Sequence, residues 1–153
     1  MTVLLGLDLG DRRIGVATAD TATGSVKPLL TLRRGTPTQD AGSIARISRE
    51  RRADELVVGL PLHADGRESP QSERTRDWVD EIGPLVGLPV TLRDERLTSQ
   101  MAEARMGRTR RGRSGGAPSA KARRAWRARI DREAAADILM RELEARSTTE
   151  VSR

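Results

Sequence analysis

Apolar positions in the first ninety residues gather into short runs, each closed by a polar or glycine-bearing turn. The run Val3-Leu4-Leu5-Gly6-Leu7 is almost unbroken, ends in Asp8-Leu9-Gly10, and a second run follows the turn through Ile14-Gly15-Val16-Ala17. This pattern predicts strands over about 3–9 and 13–19 joined as a hairpin. Asp20-Thr21-Ala22-Thr23-Gly24 is a further turn, and Lys27–Leu32 fits a third strand that completes an antiparallel meander. Thr36-Pro37-Thr38-Gln39 matches a capping box with proline at the first helical position, opening a helix to about Arg52 with Ile44 and Ile47 inward.

Beyond that helix, Glu55-Leu56-Val57-Val58-Gly59-Leu60 predicts a fourth strand. Ser69-Pro70 caps a second helix over about 70–82, ended near Gly83-Pro84, and Pro89–Arg93 is the fifth strand. A third helix is expected from Thr98 to Gly107, a mobile loop over 107–118 and a last helix over about 120–145, with Ser147–Arg153 as a frayed tail. The order is βββαβαβαα. Its βαβ units imply parallel pairing with right-handed crossovers. The nearly all-apolar first strand belongs at the centre of a mixed five-stranded α/β sheet, antiparallel to strand 2 and parallel to strands 4 and 5, with helices on both faces.

Length and composition narrow the class. A chain of 153 residues makes one domain with a substantial core. Cysteine is absent, which excludes disulfides and thiolate metal sites. No apolar run reaches membrane-spanning length and the N-terminus lacks a signal-peptide pattern, so a cytoplasmic protein is expected. With two tryptophans and no Phe or Tyr, the core rests on Leu, Val, Ile and Ala, and base stacking on aromatic platforms is not the main mode of nucleic-acid contact.

The net charge of +6 conceals a division. Between Glu103 and Asp131 there is no acidic residue, yet ten basic ones; the rest of the chain has 18 basic against 22 acidic residues. A mildly acidic body with one intensely basic segment suits phosphate-backbone binding. The candidate phosphate contacts are Arg13, Arg96, Arg108, Arg110, Arg111, Arg113, Lys121, Arg123 and Arg124.

Three carboxylates stand where chain elements change. Asp8 closes strand 1 amid hydrophobes, where a half-buried carboxylate is costly unless a cation or donors meet it. Glu95 follows strand 5, with Asp94 as its rival. Asp131 shares a helical face with Ala134, Ala135 and Ile138, at +3, +4 and +7, so it is aimed at the sheet. Carboxyl ends of parallel strands are where such sheets collect ligands. Carboxylates converging there repel unless a hard cation such as Mg²⁺ or Mn²⁺ relieves them, and a pair of such ions about 3.5–4 Å apart supports phosphodiester hydrolysis by water. Asp137 lies off the Asp131 face and can pair with Arg141 at i+4, and it either reports an exposed helix face or shifts the metal site; His63, the one histidine, is read as a loop or substrate contact.

These residues carry a resemblance. Gly6-Leu7-Asp8-Leu9-Gly10 with Arg13-Ile14-Gly15-Val16-Ala17, then Val57-Val58-Gly59-Leu60-Pro61-Leu62 with Asp65-Gly66, then Asp94-Glu95-Arg96-Leu97-Thr98-Ser99, and finally Asp131 with Ala134-Ala135 and Ile138-Leu139, resemble the YqgF or RuvX family in order over about 3–143. Members of that family are named as Holliday junction resolvases or pre-16S rRNA nucleases. The resemblance implies a ribonuclease H-like domain over 1–146, an acidic triad of Asp8, Glu95 and Asp131 that is both catalytic and metal-binding, and Mg²⁺ or Mn²⁺ as cofactor. Ribonuclease H-like enzymes often carry a carboxylate at the end of strand 4. Here that place is Gly59-Leu60-Pro61, so Glu95 substitutes from strand 5.

The expected function is a metal-dependent nuclease acting on structured nucleic acid, processing ends of precursor 16S rRNA, as a monomer or homodimer without membrane contact. The alternatives are a resolvase of branched DNA and a non-catalytic binding factor in ribosome assembly or transcription. A sugar-kinase or actin-type ATPase also opens on Asp-Leu-Gly but needs two such domains, for which this chain is short.

Overall fold

The computed structural model describes residues 1–95 and 119–151. The elements are β1 (Val3–Leu9), β2 (Arg13–Asp20), β3 (Val26–Arg33), α1 (Pro37–Arg51), β4 (Glu55–Leu60), α2 (Pro70–Val86), β5 (Val90–Asp94) and α3 (Ala120–Val151). The helix expected over 98–107 and the loop over 107–118 lie outside the described residues.

One sheet holds all five strands in the order β3-β2-β1-β4-β5. β1 is central, antiparallel to β2 and parallel to β4, and β4 pairs in parallel with β5. The alternation of side chains along β1 sorts its residues to two cores. Leu5, Leu7 and Leu9 pack with Ile44 and Ile47 of α1 and Trp78 and Ile82 of α2. Leu4 faces the other way, with Ala17, Val57, Ala135, Ile138 and Leu139, against α3.

Both capping boxes form. The Thr36 hydroxyl accepts from the Gln39 N–H while the Gln39 side chain accepts from the Thr36 N–H, and Ser69 and Ser72 do the same for α2. The two helices are fastened by a buried contact in which Trp78 Nε1 donates to Asp40 at 3.2 Å, and Asp40 also accepts from the Gly35 N–H.

Three local expectations are corrected. α2 does not stop at Gly83-Pro84 but runs through Pro84 to Val86, ending at Gly87, whose φ of 80° supplies the left-handed cap. The expected tail of 147–153 is helical as far as Val151. Arg146 accounts for the extension, since it bonds Glu142 at 3.0 Å within the helix and Glu55 of β4 at 2.5 Å across it. The exposed-face reading of Asp137 fails, since it lies in the buried stretch from Ala134 to Leu139.

Candidate active site

On the α3 side of the sheet the usual large side chains give way to small ones. Gly6, Gly15 and Gly59 present bare backbone to the helix, so that a Cβ on Gly6 would meet Leu139 and the Ala135 carbonyl, and one on Gly15 would strike the Asp131 carbonyl. A Cβ on Gly59 would strike the Glu95 carboxylate and Ile138. These glycines let α3 lie almost against the strands, with Asp131, Ala135 and Leu139 one above another at helical i, i+4 spacing.

This close approach assembles the carboxylates. Asp8 is two positions beyond Gly6 and so emerges on the α3 side, directly across from Gly15 in the β1–β2 ladder. Because Gly15 bears the Asp131 backbone, Asp131 is brought next to Asp8. On the opposite flank the Glu95 N–H donates to the Leu60 carbonyl at 3.1 Å, prolonging the β4–β5 pairing, and its buried side chain lies over Gly59. Strand alternation from Arg93, which bonds Glu142 of α3, puts Glu95 rather than Asp94 on this side.

Asp8 and Glu95 meet directly and are hydrogen-bonded to each other. Two carboxyl groups in contact share a proton, because both cannot ionise cheaply. Burial, the Asp8 charge and the hydrogen bond to Asp8 push Glu95 up to about 10, against a smaller opposing effect of Arg141. Burial likewise raises Asp8, to about 6; the Glu95 hydrogen bond opposes the rise and the Asp131 charge adds to it. At neutral pH Glu95 is therefore the donor and Asp8 the acceptor. Arg141 is held nearby, its Nη1 donating to the Asp94 carbonyl at 3.1 Å.

Asp131 makes a different partnership. Its Oδ2 accepts from Arg13 Nε at 2.7 Å. Among the described residues no three His, Asp or Glu side chains stand together as a metal-holding group. The structure thus joins Asp8 with Glu95 and keeps Asp131 alongside but tied to Arg13. The donor chemistry suits a hard divalent cation: a half-buried and a buried carboxyl group stand in contact, and carboxylate oxygens are what Mg²⁺ and Mn²⁺ take. His63 is exposed in the loop after β4, its N–H donating to the Arg67 carbonyl, and is no part of this cluster.

A groove of about 580 Å³ lies between the β2–β3 edge and the first turns of α3, lined by Arg12, Arg13, Arg33, Arg123, Arg124 and Arg127. Thr31 of β3 fixes its floor by donating to the Ala128 carbonyl at 2.7 Å. Of the expected phosphate contacts, Arg13, Arg123 and Arg124 line this groove. Lys121 is exposed on the same helix, and Arg96, Arg108, Arg110, Arg111 and Arg113 lie outside the described residues. Sequence reasoning missed Arg12, Arg33 and Arg127. The signal was the meander register, which pairs Arg13 with Arg33 and so stacks basic residues on one sheet edge.

A five-stranded mixed sheet in this order, flanked by helices and carrying acids at the carboxyl ends of β1 and β5, defines a ribonuclease H-like fold. Thermus thermophilus RuvC, solved in complex with a Holliday junction substrate, is similar over 97% of this chain and 98% of that one, with a TM-score of 0.55 and 14% identity. The chain belongs to the RuvX family, described as Holliday junction resolvases, whose model matches residues 2–145. A relative from an Anaeromyxobacter species, named "Putative pre-16S rRNA nuclease", is 41% identical over 142 residues, spanning 93% of this chain and 96% of that one. A Rhodobacter capsulatus relative of the same name is 41% identical over 103 residues, spanning 67% of this chain and 65% of that one. No helix among the described residues is long and apolar enough to cross a membrane.

Proposed function

We propose that this protein is a nuclease dependent on Mg²⁺ or Mn²⁺ that hydrolyses phosphodiester bonds in structured nucleic acid, with the ends of precursor 16S rRNA as its substrate in the cytoplasm. The observation that carries this reading is the Asp8–Glu95 carboxyl pair, linked through Asp131 and its ion pair with Arg13 to an arginine-lined groove. Asp8 and Glu95, with Asp131 as third member, are the groups to hold the metal, which when bound would lower the pKa of a water and offset charge on the leaving oxygen. The arginines grip the sugar-phosphate backbone and carry no base preference of their own. Without aromatic side chains on its lining, the groove favours contacts that any sequence can make.

The names of the relatives favour ribosomal RNA. The description of the family favours branched DNA as the second reading. The two are separated by offering the purified protein a precursor 16S fragment and a four-way DNA junction side by side, with and without Mn²⁺. Mn²⁺-dependent cleavage of the RNA alone, lost by roughly 100-fold or more in Asp8→Asn, is the expected result. Cleavage that persists unchanged in Asp8→Asn removes the carboxylates from the chemistry. Binding without cleavage of either substrate leaves a non-catalytic assembly factor.

A further inference from the structure

The Arg13–Asp131 ion pair connects the groove to the carboxylates. Arg13 lines the groove with five other arginines, its side chain 32% exposed, and its Nε holds the Asp131 carboxylate. The Asp131 backbone already rests on Gly15 and can come no closer to β2, so a change of ligand falls to its side chain. Its side chain can turn. In one direction lies Arg13, and Asp8 is close enough to feel the Asp131 charge. A guanidinium fork fits a phosphate as well as it fits a carboxylate, so the two compete for Arg13.

Resting on the reading of Asp8, Glu95 and Asp131 as metal ligands, we infer that Arg13 is a substrate-responsive latch on Asp131: a backbone phosphate seated in the arginine groove draws the guanidinium away, and the freed carboxylate turns to complete the ion-binding set with Asp8 and Glu95. Arg13 is then a positioning residue that acts through Asp131. Linkage makes the effect reciprocal, so nucleic acid tightens metal binding by the factor by which metal tightens nucleic-acid binding. An empty groove leaves the site with two carboxylates and a weaker hold on the ion. A filled groove recruits the third.

The test measures Mn²⁺ affinity of the full chain by calorimetry, with and without a single-stranded phosphorothioate RNA oligonucleotide. The wild type is expected to bind Mn²⁺ roughly tenfold more tightly with the oligonucleotide, within the usual range of coupling between sites. Arg13→Gln is expected to bind tightly without it and to gain nothing from it, whereas Arg13→Lys, which keeps a cation beside Asp131, retains part of the gain. If Arg13→Gln does not fold, Asp131→Asn decides. A latched Asp131 predicts Mn²⁺ affinity unchanged without the oligonucleotide and the gain abolished, while a permanent ligand predicts weakening in both states. Equal Mn²⁺ affinity of wild type and Arg13→Gln without the oligonucleotide, or an equal gain in both, overturns the latch and leaves the metal reading standing. Absence of Mn²⁺ binding in every condition overturns the metal reading and the latch together.

Discussion

The Asp131 carbonyl of α3 rests on the bare Cα of Gly15 in β2, across the strand ladder from Asp8. One missing side chain thereby sets the separation between two acids that are 123 positions apart in sequence. Any Cβ at Gly15 must displace the helix backbone, which has no rotamer to yield. Gly15→Ala is expected to destabilise the fold by about 1–3 kcal/mol, the usual cost of overpacking, and to push Asp131 outward. Gly42→Ala in α1, where a Cβ meets nothing within 4 Å, is the control and should be neutral or stabilising by up to about 1 kcal/mol. Urea unfolding of both variants measures the contrast.

The shared proton gives the metal-free protein an unusual pH profile. Glu95 rises from 4.5 to about 10 on folding and Asp8 from 3.8 to about 6. The folded chain therefore binds more protons than the unfolded one across this window, and stability must fall as pH rises. The contribution is fully present below about pH 4, is lost first through the Asp8 range near 6, and is lost further as pH climbs toward 10. Glu95→Gln, which supplies a permanent neutral donor, should flatten this slope and exceed the wild type in thermal stability at pH 8 without metal. A wild-type stability that increases from pH 5 to pH 9 in chelator would contradict the shared proton.

Salt dependence reports on the groove. Each phosphate neutralised on a single strand contributes about 0.7 to the slope of log affinity against log salt. Arg127→Ala and Arg124→Ala, both on the groove lining, should each reduce the slope by about that amount and weaken binding alike for unrelated sequences. Fluorescence anisotropy over a salt series provides the measurement, and an unaltered slope in both variants would remove the groove from the nucleic-acid path.

Glu142 is buried on α3 and joins Arg93 of β5 at 2.7 Å to Arg146 at 3.0 Å. Arg146 in turn holds Glu55 of β4. Glu142→Gln leaves two arginines short of charge and should cost about 1–3 kcal/mol. It should also speed amide hydrogen exchange in the last turns of α3 while α1 remains protected. Uniform loss of protection across the chain would argue against this local anchoring.

The sheet was largely legible because its signals are local. Each strand is bounded by a turn residue, Thr36 and Ser69 announce their helices, and the unbroken apolar run of β1 marks the centre. Asp131 could be aimed at the sheet because Ala134, Ala135 and Ile138 share its helical face. What escaped was tertiary. α3 continues past Arg146, which is held by Glu55 of β4, a strand the helix packs against, and α2 runs on through Pro84 to the Gly87 cap. The pairing of Asp131 with Arg13 joins groups 118 positions apart and has no periodicity to betray it.

The two sides of the sheet differ in what they allow to change. The leucine-rich side beneath α1 and α2 is ordinary ballast, and exchanges among aliphatic residues there can be absorbed by repacking. On the glycine-lined side every added methyl acts as a shim under α3, tilting one acid relative to its neighbours. Efforts to harden this protein against heat therefore belong under α1 and α2, because thickening the other wall would trade reaction geometry for robustness.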